Sequence, residues 1–453
     1  MREDSLHKKL EEILGPNGAG SGADWLNERG WEGPLPKAIA SPATREQVCE
    51  VLRLASTERL KVAPAGGGTK QRLGGIPQGI DLLLSLARLN CVTDYPASDL
   101  TISVEAGLPL RELAATLAAQ GQMLPLDMPF AGQATIGGAF ATNSSGPRRL
   151  GYGTWRDMVL GVHFVTAAGK LAKSGGKVVK NVAGYDLSRL LIGSFGTLGV
   201  IVEIAFKVFP APPASATFVL GFATLEGALQ AIQRIRNSPL NPQALDLMNS
   251  TAGLLESAPE TTAAEKLFVG VAGPPVVVER FQRELPPLVR ACGLESVLEY
   301  KNAQEAKLWQ SIQELTPSFL QSQPEGVVVK ASLLLNQMGN FLNTVRETAS
   351  AHGLSHATLT RAGAGIVYCY LWPASEQGSA APAERLAQTS KGLIQEANQH
   401  GGRALVEWCP TALKSKIPLM WGPLRDDFPW MQRLKTEMDP LGILNPGRFY
   451  GGI

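Results

Sequence analysis

The chain has 453 residues, with 42 Lys and Arg against 40 Asp and Glu. That length suits roughly two to three domains with real cores, and near-balanced charge without a basic tract argues against a nucleic-acid binder. No apolar run approaches the roughly 18 residues of a membrane span, and the start MREDSLHKKLEEIL lacks an apolar signal core, so a soluble cytoplasmic protein is expected.

Residues 1–14 read as a helix that stops at Gly15-Pro16. The Gly- and Pro-rich residues 15–36 read as an irregular connector. Ala38–Ala40 is a short strand. Ser41 or Thr44 can cap a helix through Val48, Val51, Leu52 and Ala55, with Glu46 and Gln47 in its first turn. Leu60–Ala63 is a strand that runs straight into Pro64-Ala-Gly-Gly-Gly-Thr69. Strands follow at Ile80–Ser85 and Thr101–Glu105, and an alanine-rich helix at Leu110–Gln120. Val159–Thr166 and Gly169–Ala172 read as a hairpin.

The stretch Asn181–Glu203 reads as a helix (Tyr185–Ile192), a turn with Gly193, Gly196 and Gly199, and a buried strand from Val200 to Phe209. Glycines so closely spaced suit a backbone that passes near something flat or bulky. The run FPAPPAS near Pro210–Pro213 marks a domain boundary. Beyond it strands and helices alternate in two βαβ-type rounds, from Thr217 to Tyr300 and from Val327 to Trp408. This rhythm predicts an antiparallel sheet with helices on one face. A helix at Trp430–Met438 and the tail Asp439–Ile453 close the chain.

The cysteines, Cys49, Cys91, Cys292, Cys369 and Cys409, are scattered without a CxxC pair. That spacing argues against disulfides, zinc or an iron–sulfur cluster, and buried thiols are expected. The loop Pro64–Thr69 offers consecutive backbone N–H donors with no Cβ in the way, which suits a phosphate. It is not a Walker A loop, and no GxGxxG follows a strand in a Rossmann context. A second glycine segment, Gly132-Gln-Ala-Thr-Ile-Gly-Gly138, continues into Ala141-Thr-Asn-Ser-Ser-Gly146. A third, Gly442-Ile-Leu-Asn-Pro-Gly-Arg-Phe-Tyr450, lies in the tail.

Together these segments resemble the PCMH-type FAD-binding domain of the vanillyl-alcohol oxidase superfamily, which the bacterial 2-hydroxyacid dehydrogenases share. The resemblance runs from about Pro34 to Pro210 and returns at Gly442–Tyr450. Within the superfamily it points to the FAD-binding subunits of bacterial glycolate oxidase complexes, above all the smaller one. It implies an α+β fold: an FAD-binding domain of two α+β subdomains (34–212), a cap of antiparallel sheet covered by helices (213–409), and a returning segment (410–453). Residues 1–33 would be an N-terminal helix and connector.

The resemblance also assigns cofactor contacts. Pro64, Ala65, Gly66, Gly67, Gly68 and Thr69 would meet FAD, as would Gly132, Thr135, Gly137, Gly138, Asn143 and Ser144. Gly199, Val200 and Ile201 join them, with Asn445 reaching the flavin ring and Arg448 near the cofactor. Loop 64–69 and segment 132–146 contain no His or Cys to tether a flavin, so FAD is expected to be non-covalent. The implied reaction is oxidation of glycolate to glyoxylate, with a larger FAD subunit and an iron–sulfur subunit as partners; the complex would allow peripheral membrane association.

Departures from the family pattern matter as well. Catalytic relatives carry a His-x-Gly-Asp-Gly-Asn-x-His run and metal-ligand histidines; this chain has only His7, His163, His352, His356 and His400. His163 reads as a solvent-facing strand residue. His352 and His356 straddle Gly353, which should end a helix, so no metal pair is expected. Phe195 stands where those relatives have an acidic residue. A cation for a substrate carboxylate could come from Lys330 or Arg361, each of which otherwise reads as an edge or surface charge. Catalytic residues are thus unassigned. Three readings stand: a catalytic glycolate oxidase subunit, a flavin-bearing assembly or relay subunit without turnover, and a stand-alone FAD-dependent D-lactate or related dehydrogenase.

Overall fold

The computed structural model describes residues 3–20, 26, 31–176, 185–249, 261–374 and 381–453. Residues 181–184 of the glycine stretch, and residues 21–25 and 27–30 of the N-terminal connector, lie outside these. Contacts divide the chain into two units. One comprises Met1–Ser145, Thr154–Ala211 and Pro423–Ile453, the other Gly146–Gly153 and Pro212–Gly422.

The first unit is built on two sheets. Strands β1 (Ala19–Gly20), β2 (Ala38–Ala40), β3 (Val62–Ala65) and β4 (Leu82–Ser85) align in the order β1-β2-β4-β3. The pairs β2–β4 and β3–β4 are parallel. Every residue of β2 and β4 is buried, as expected for short parallel strands covered on both faces. The helix Arg45–Glu58 starts where the Thr44 side chain accepts from Gln47 N, and it buries Val48, Cys49, Val51, Leu52 and Ala55. That spacing gives one apolar stripe.

The chain continues through β5 (Val92–Asp94), β6 (Thr101–Glu105), β7 (Gln122–Met123), β8 (Val159–Val165), β9 (Leu171–Gly175), β10 (Val200–Lys207) and β11 (Phe209–Pro210). The second sheet has the order β5-β6-β10-β8-β9, and β7 pairs separately with β11. One face of this sheet is apolar. Ile102, Val104, Val162, Phe164, Ile204 and Phe206 are all buried. Trp155 lies edge-on to Phe140 and to Phe206, with ring centroids 5.5 and 5.8 Å away. The other face is polar. There His163 Nδ1 is 2.9 Å from Glu203 Oε1, so His163 is held in an ion-pair geometry rather than pointing to solvent. The cysteines divide as well: four are buried, but Cys91 is exposed.

The second unit holds one sheet of eight strands: β12 (Ala214–Phe222), β13 (Ala244–Asn249), β14 (Glu265–Gly273), β15 (Leu294–Tyr300), β16 (Val327–Ser332), β17 (Leu354–Arg361), β18 (Ile366–Pro373) and β19 (Arg403–Trp408). Their order is β15-β12-β14-β13-β17-β18-β16-β19. Each half repeats one arrangement, fourth-first-third-second from its outer edge, and the halves meet where β13 pairs antiparallel with β17.

Helices cover both faces, not one. In β12, Phe218 and Leu220 join a core with Ile232 and Phe281 from helices Leu225–Arg236 and Pro275–Val289. Val219, between them, joins Leu308 and Phe319 from helices Asn302–Gln313 and Leu315–Ser322. Successive strand residues point to opposite faces. The clue was the unbroken run Val327-Val328-Val329 in β16, which lacks the alternation of a half-solvated sheet.

Glu265 in β14 is buried, and burial pushes its carboxyl up from 4.5 to about 7 against a downward pull from Arg346. The folded state therefore holds the proton more tightly than the unfolded chain. Its contribution is fullest below about pH 4.5 and is lost as pH rises towards 7. Glu265→Gln should flatten that part of the stability profile and raise stability above pH 7. Urea midpoints measured across this range check it.

Candidate active site

Three glycine segments meet in the first unit because they pack with no room for a Cβ between them. A Cβ on Gly66 would lie 2.0 Å from Thr135 Oγ1, and one on Gly67 would lie 1.8 Å from Gln133 O. Gly137 is equally confined, 2.6 Å from Ala106 Cβ, and its N–H donates to Ala106 O at 2.7 Å. Gly196, at φ +67°, packs on the Pro64 ring. Thr135 caps the helix Ile136–Ala141 by accepting from Gly138 N at 3.3 Å.

The C-terminal tail completes the arrangement. Val62 N donates to Ile443 O at 2.7 Å, and Asn445 N donates to Val62 O at 2.8 Å. The tail thus lies parallel alongside β3. Asn445, at φ +49°, donates from Nδ2 to Phe195 O at 2.7 Å. The Arg448 guanidinium donates to Lys70 O at 2.6 Å and to Gln71 Oε1 at 3.2 Å. Burial lowers its pKa to about 10, with Glu32 pulling the other way, so it remains a cation at neutral pH.

These segments line an open cleft. Pro64, Ala65, Gly66, Gly67, Gly68 and Thr69 line it, with Thr135, Gly137 and Gly138. Gly199, Val200, Ile201, Asn445 and Arg448 line it too. Gly132, Asn143 and Ser144 are not among the lining residues. Gly132 lies in the turn that Gln133 N closes on Phe130 O, and Asn143 and Ser144 finish the helix Ile136–Ala141 by donating to Phe140 O and Ala139 O. Thr142 lines the cleft in their stead.

Sequence reasoning missed Lys70, Gln71, Leu86, Ala106, Ala141, Thr142 and Gly196 as lining residues. Lys70 and Gln71 merely continue the glycine loop, which was a usable signal; Leu86 and Ala106 carry none. Phe195 was noted only as replacing an acid. It lines the cleft, adopts φ +55° and stacks on Phe449 at 5.1 Å.

The donor set suits an anion. Among the described residues, the N–H groups of Gly66, Gly67, Gly68 and Thr69 make no hydrogen bond, while Lys70 and Arg448 add positive charge to the lining. Successive N–H groups with no Cβ between them and a ligand fit a pyrophosphate. The apolar Leu86, Phe195, Val200 and Ile201 give the same cleft surfaces for a flat ring.

In the second unit the two candidate cations sit on inner strands, not at an edge. β16 lies between β18 and β19, and β17 between β13 and β18. Arg361 is buried and hydrogen-bonded to Asp246, opposite it on β13. Its charge is therefore already matched. Lys330 is directly opposite Tyr368, with Nζ 5.3 Å from the ring centroid. Burial pulls its pKa down, but Tyr368 and Glu407 outweigh that pull and Arg149, so it is held above the ordinary value.

An FAD binding domain model matches residues 36–175, and one for FAD linked oxidases, C-terminal domain, matches residues 211–449. The chain belongs to the FAD-linked oxidases, and its cofactor is FAD. It is 26% identical over 422 residues to glycolate oxidase subunit GlcD of Bacillus subtilis, covering 92% of this chain and 89% of that one. It is 29% identical over 450 residues to D-2-hydroxyglutarate dehydrogenase of Xanthomonas citri pv. viticola, covering 95% and 92%. Glycolate oxidase subunit GlcE of Escherichia coli is 42% identical over 176 residues, covering 39% of this chain and 49% of that one. The fold is that of p-cresol methylhydroxylase, with a TM-score of 0.78 at 15% identity over 98% of this chain and 96% of that one. The protein is thus an FAD-linked oxidoreductase related to glycolate oxidase and the D-2-hydroxyacid dehydrogenases.

Two predictions follow from these contacts. Gly138 lines the cleft, and a Cβ there would meet only Thr135 Oγ1, at 3.2 Å. Gly138→Asp should fold yet be colourless, whereas Gly67→Ala should lose about 1–3 kcal/mol of stability through overpacking. Absorbance at the flavin bands and urea unfolding distinguish the two. Arg361→Met should cost about 3–5 kcal/mol by stranding Asp246, and Arg361→Met with Asp246→Leu should recover most of it. Urea unfolding of the three proteins measures this.

Proposed function

We propose that this chain is an FAD-binding subunit of a glycolate oxidase-like complex and takes part in oxidising a 2-hydroxyacid to the 2-oxoacid. The first unit would serve as the FAD domain and the second as the cap, which moves residues 146–153 and 410–422 from the FAD domain expected from sequence (34–212 with 410–453) to the cap expected at 213–409. The observation that carries the cofactor site is the run Gly66 to Thr69, which lines the cleft and whose four N–H groups make no hydrogen bond among the described residues. These donors, with Thr69, Lys70 and Arg448, would hold the pyrophosphate. Phe195, Val200, Ile201 and Asn445 would meet the ring. When bound, FAD supplies a two-electron acceptor. Among the described residues no His or Cys lines the cleft, which favours non-covalent binding.

Lys330 is the group we assign to the substrate carboxylate. Arg361 is excluded from that role by its bond to Asp246. The smaller-subunit reading rests on the 42% identity to GlcE and on the missing His-x-Gly-Asp-Gly-Asn-x-His run. A larger FAD subunit and an iron–sulfur subunit in the cytoplasm would then be its partners. The end-to-end match to D-2-hydroxyglutarate dehydrogenase favours a second reading, a dehydrogenase acting alone.

A base for the substrate hydroxyl is the group that hydroxyacid oxidation still requires. Among the described residues, no histidine or carboxylate lines the cleft. The purified chain should be yellow and should release FAD into the supernatant on acid denaturation; flavin that stays with the precipitate would refute non-covalent binding. Mixed anaerobically with glycolate or D-lactate, the isolated chain should bleach slowly or not at all. Co-expression with the larger flavin and iron–sulfur subunits should confer turnover. Rapid bleaching of the isolated chain by either acid would instead establish the stand-alone dehydrogenase.

A further inference from the structure

Lys435, on the helix Phe428–Met438, is largely buried, with 13% of its side chain exposed. Its Nζ donates to Thr197 O at 2.8 Å, Leu444 O at 2.8 Å and Asp439 Oδ2 at 2.6 Å. An ammonium has three protons, and each has an oxygen here. Asp439 in turn accepts from Ile443 N at 3.1 Å and Leu444 N at 2.8 Å. One charge pair therefore ties the tail to itself and to the turn 194–197.

That turn is the strained wall of the cleft. Phe195 and Gly196 are consecutive left-handed residues, at φ +55° and +67°. A left-handed aromatic is uncommon and persists only where its surroundings hold it. Thr197, the residue that Lys435 grips, closes the turn with N–H and Oγ1 both donating to Ser194 O. Asn445 grips Phe195 O from the same tail.

We propose that Lys435 is a positioning residue for the flavin: through Thr197 and Leu444 it fixes Phe195 and Asn445 in the cleft and so sets FAD affinity and the flavin's surroundings. This rests on the reading that the cleft holds FAD. It differs from a purely structural role because its effect is felt at the bound ring.

Lys435→Met alone would bury an uncompensated carboxylate, so the test variant is Lys435→Met with Asp439→Asn. Apoprotein and FAD are titrated by flavin fluorescence, and the visible circular dichroism of bound flavin is recorded. FAD should bind about tenfold more weakly or worse, a loss of roughly 1.4 kcal/mol, and the dichroic band should change. Asn445→Gly, which keeps the left-handed backbone but loses the bond to Phe195 O, should change the same band. Unaltered affinity and an unaltered band, whatever happens to the melting temperature, overturn the proposal. If the double variant does not fold, Lys435→Gln and Asn445→Gly are judged by the same two readouts. Normal FAD binding by Gly138→Asp would sink the cleft reading itself; normal binding by the Lys435 variants alone would sink only this inference.

Discussion

Backbone contact at Gly66 and Gly67 is the constraint from which the FAD-binding unit takes its form. With Thr135 Oγ1 and Gln133 O where a side chain would begin, the end of β3 and the loop before helix Ile136–Ala141 are pressed together. Nothing larger than glycine fits either position. Among the described residues, the N–H groups of Gly66 to Thr69 meet no acceptor. A binding site for an anion is thus a by-product of the way two loops pack. Preorganised donors of this kind need no rearrangement when charge arrives.

In the second unit the governing interaction is different. Its sheet is joined at the β13–β17 pairing, and Asp246 faces Arg361 at that seam. A buried pair is weak evidence of net stability, but losing one partner is costly. Arg361 is therefore better read as part of the seam than as a hand held out to substrate. Lys330 lies two strands further along, opposite Tyr368.

Much of this was legible in the sequence. The Pro64–Thr69 loop, Thr135, Gly137 and Gly138 of the Ala-Thr-Ile-Gly-Gly run, and Asn445 are picked out by glycine spacing and family resemblance, and all line the cleft. Asn143 and Ser144 fall outside the lining because sequence adjacency to a motif does not say where a short helix ends. Leu86 and Ala106 were invisible because an apolar residue at a strand end looks the same whether it faces core or cofactor. The sheet covered on both faces was missed for want of weighing Val327–Val329. Charge pairing defeats sequence reading most thoroughly. Nothing around Arg361 or His163 announces Asp246 or Glu203, each far away along the chain.

The tail that runs beside β3 has a temporal consequence. Val62 exchanges hydrogen bonds with Ile443 and Asn445, partners separated by nearly the whole chain. On a ribosome, the glycine loop emerges long before the residues that close the cleft behind it. Until the tail arrives, β3 has one unpaired side and the turn at Phe195 lacks both of its anchors. A chain without the tail therefore cannot form the finished cleft.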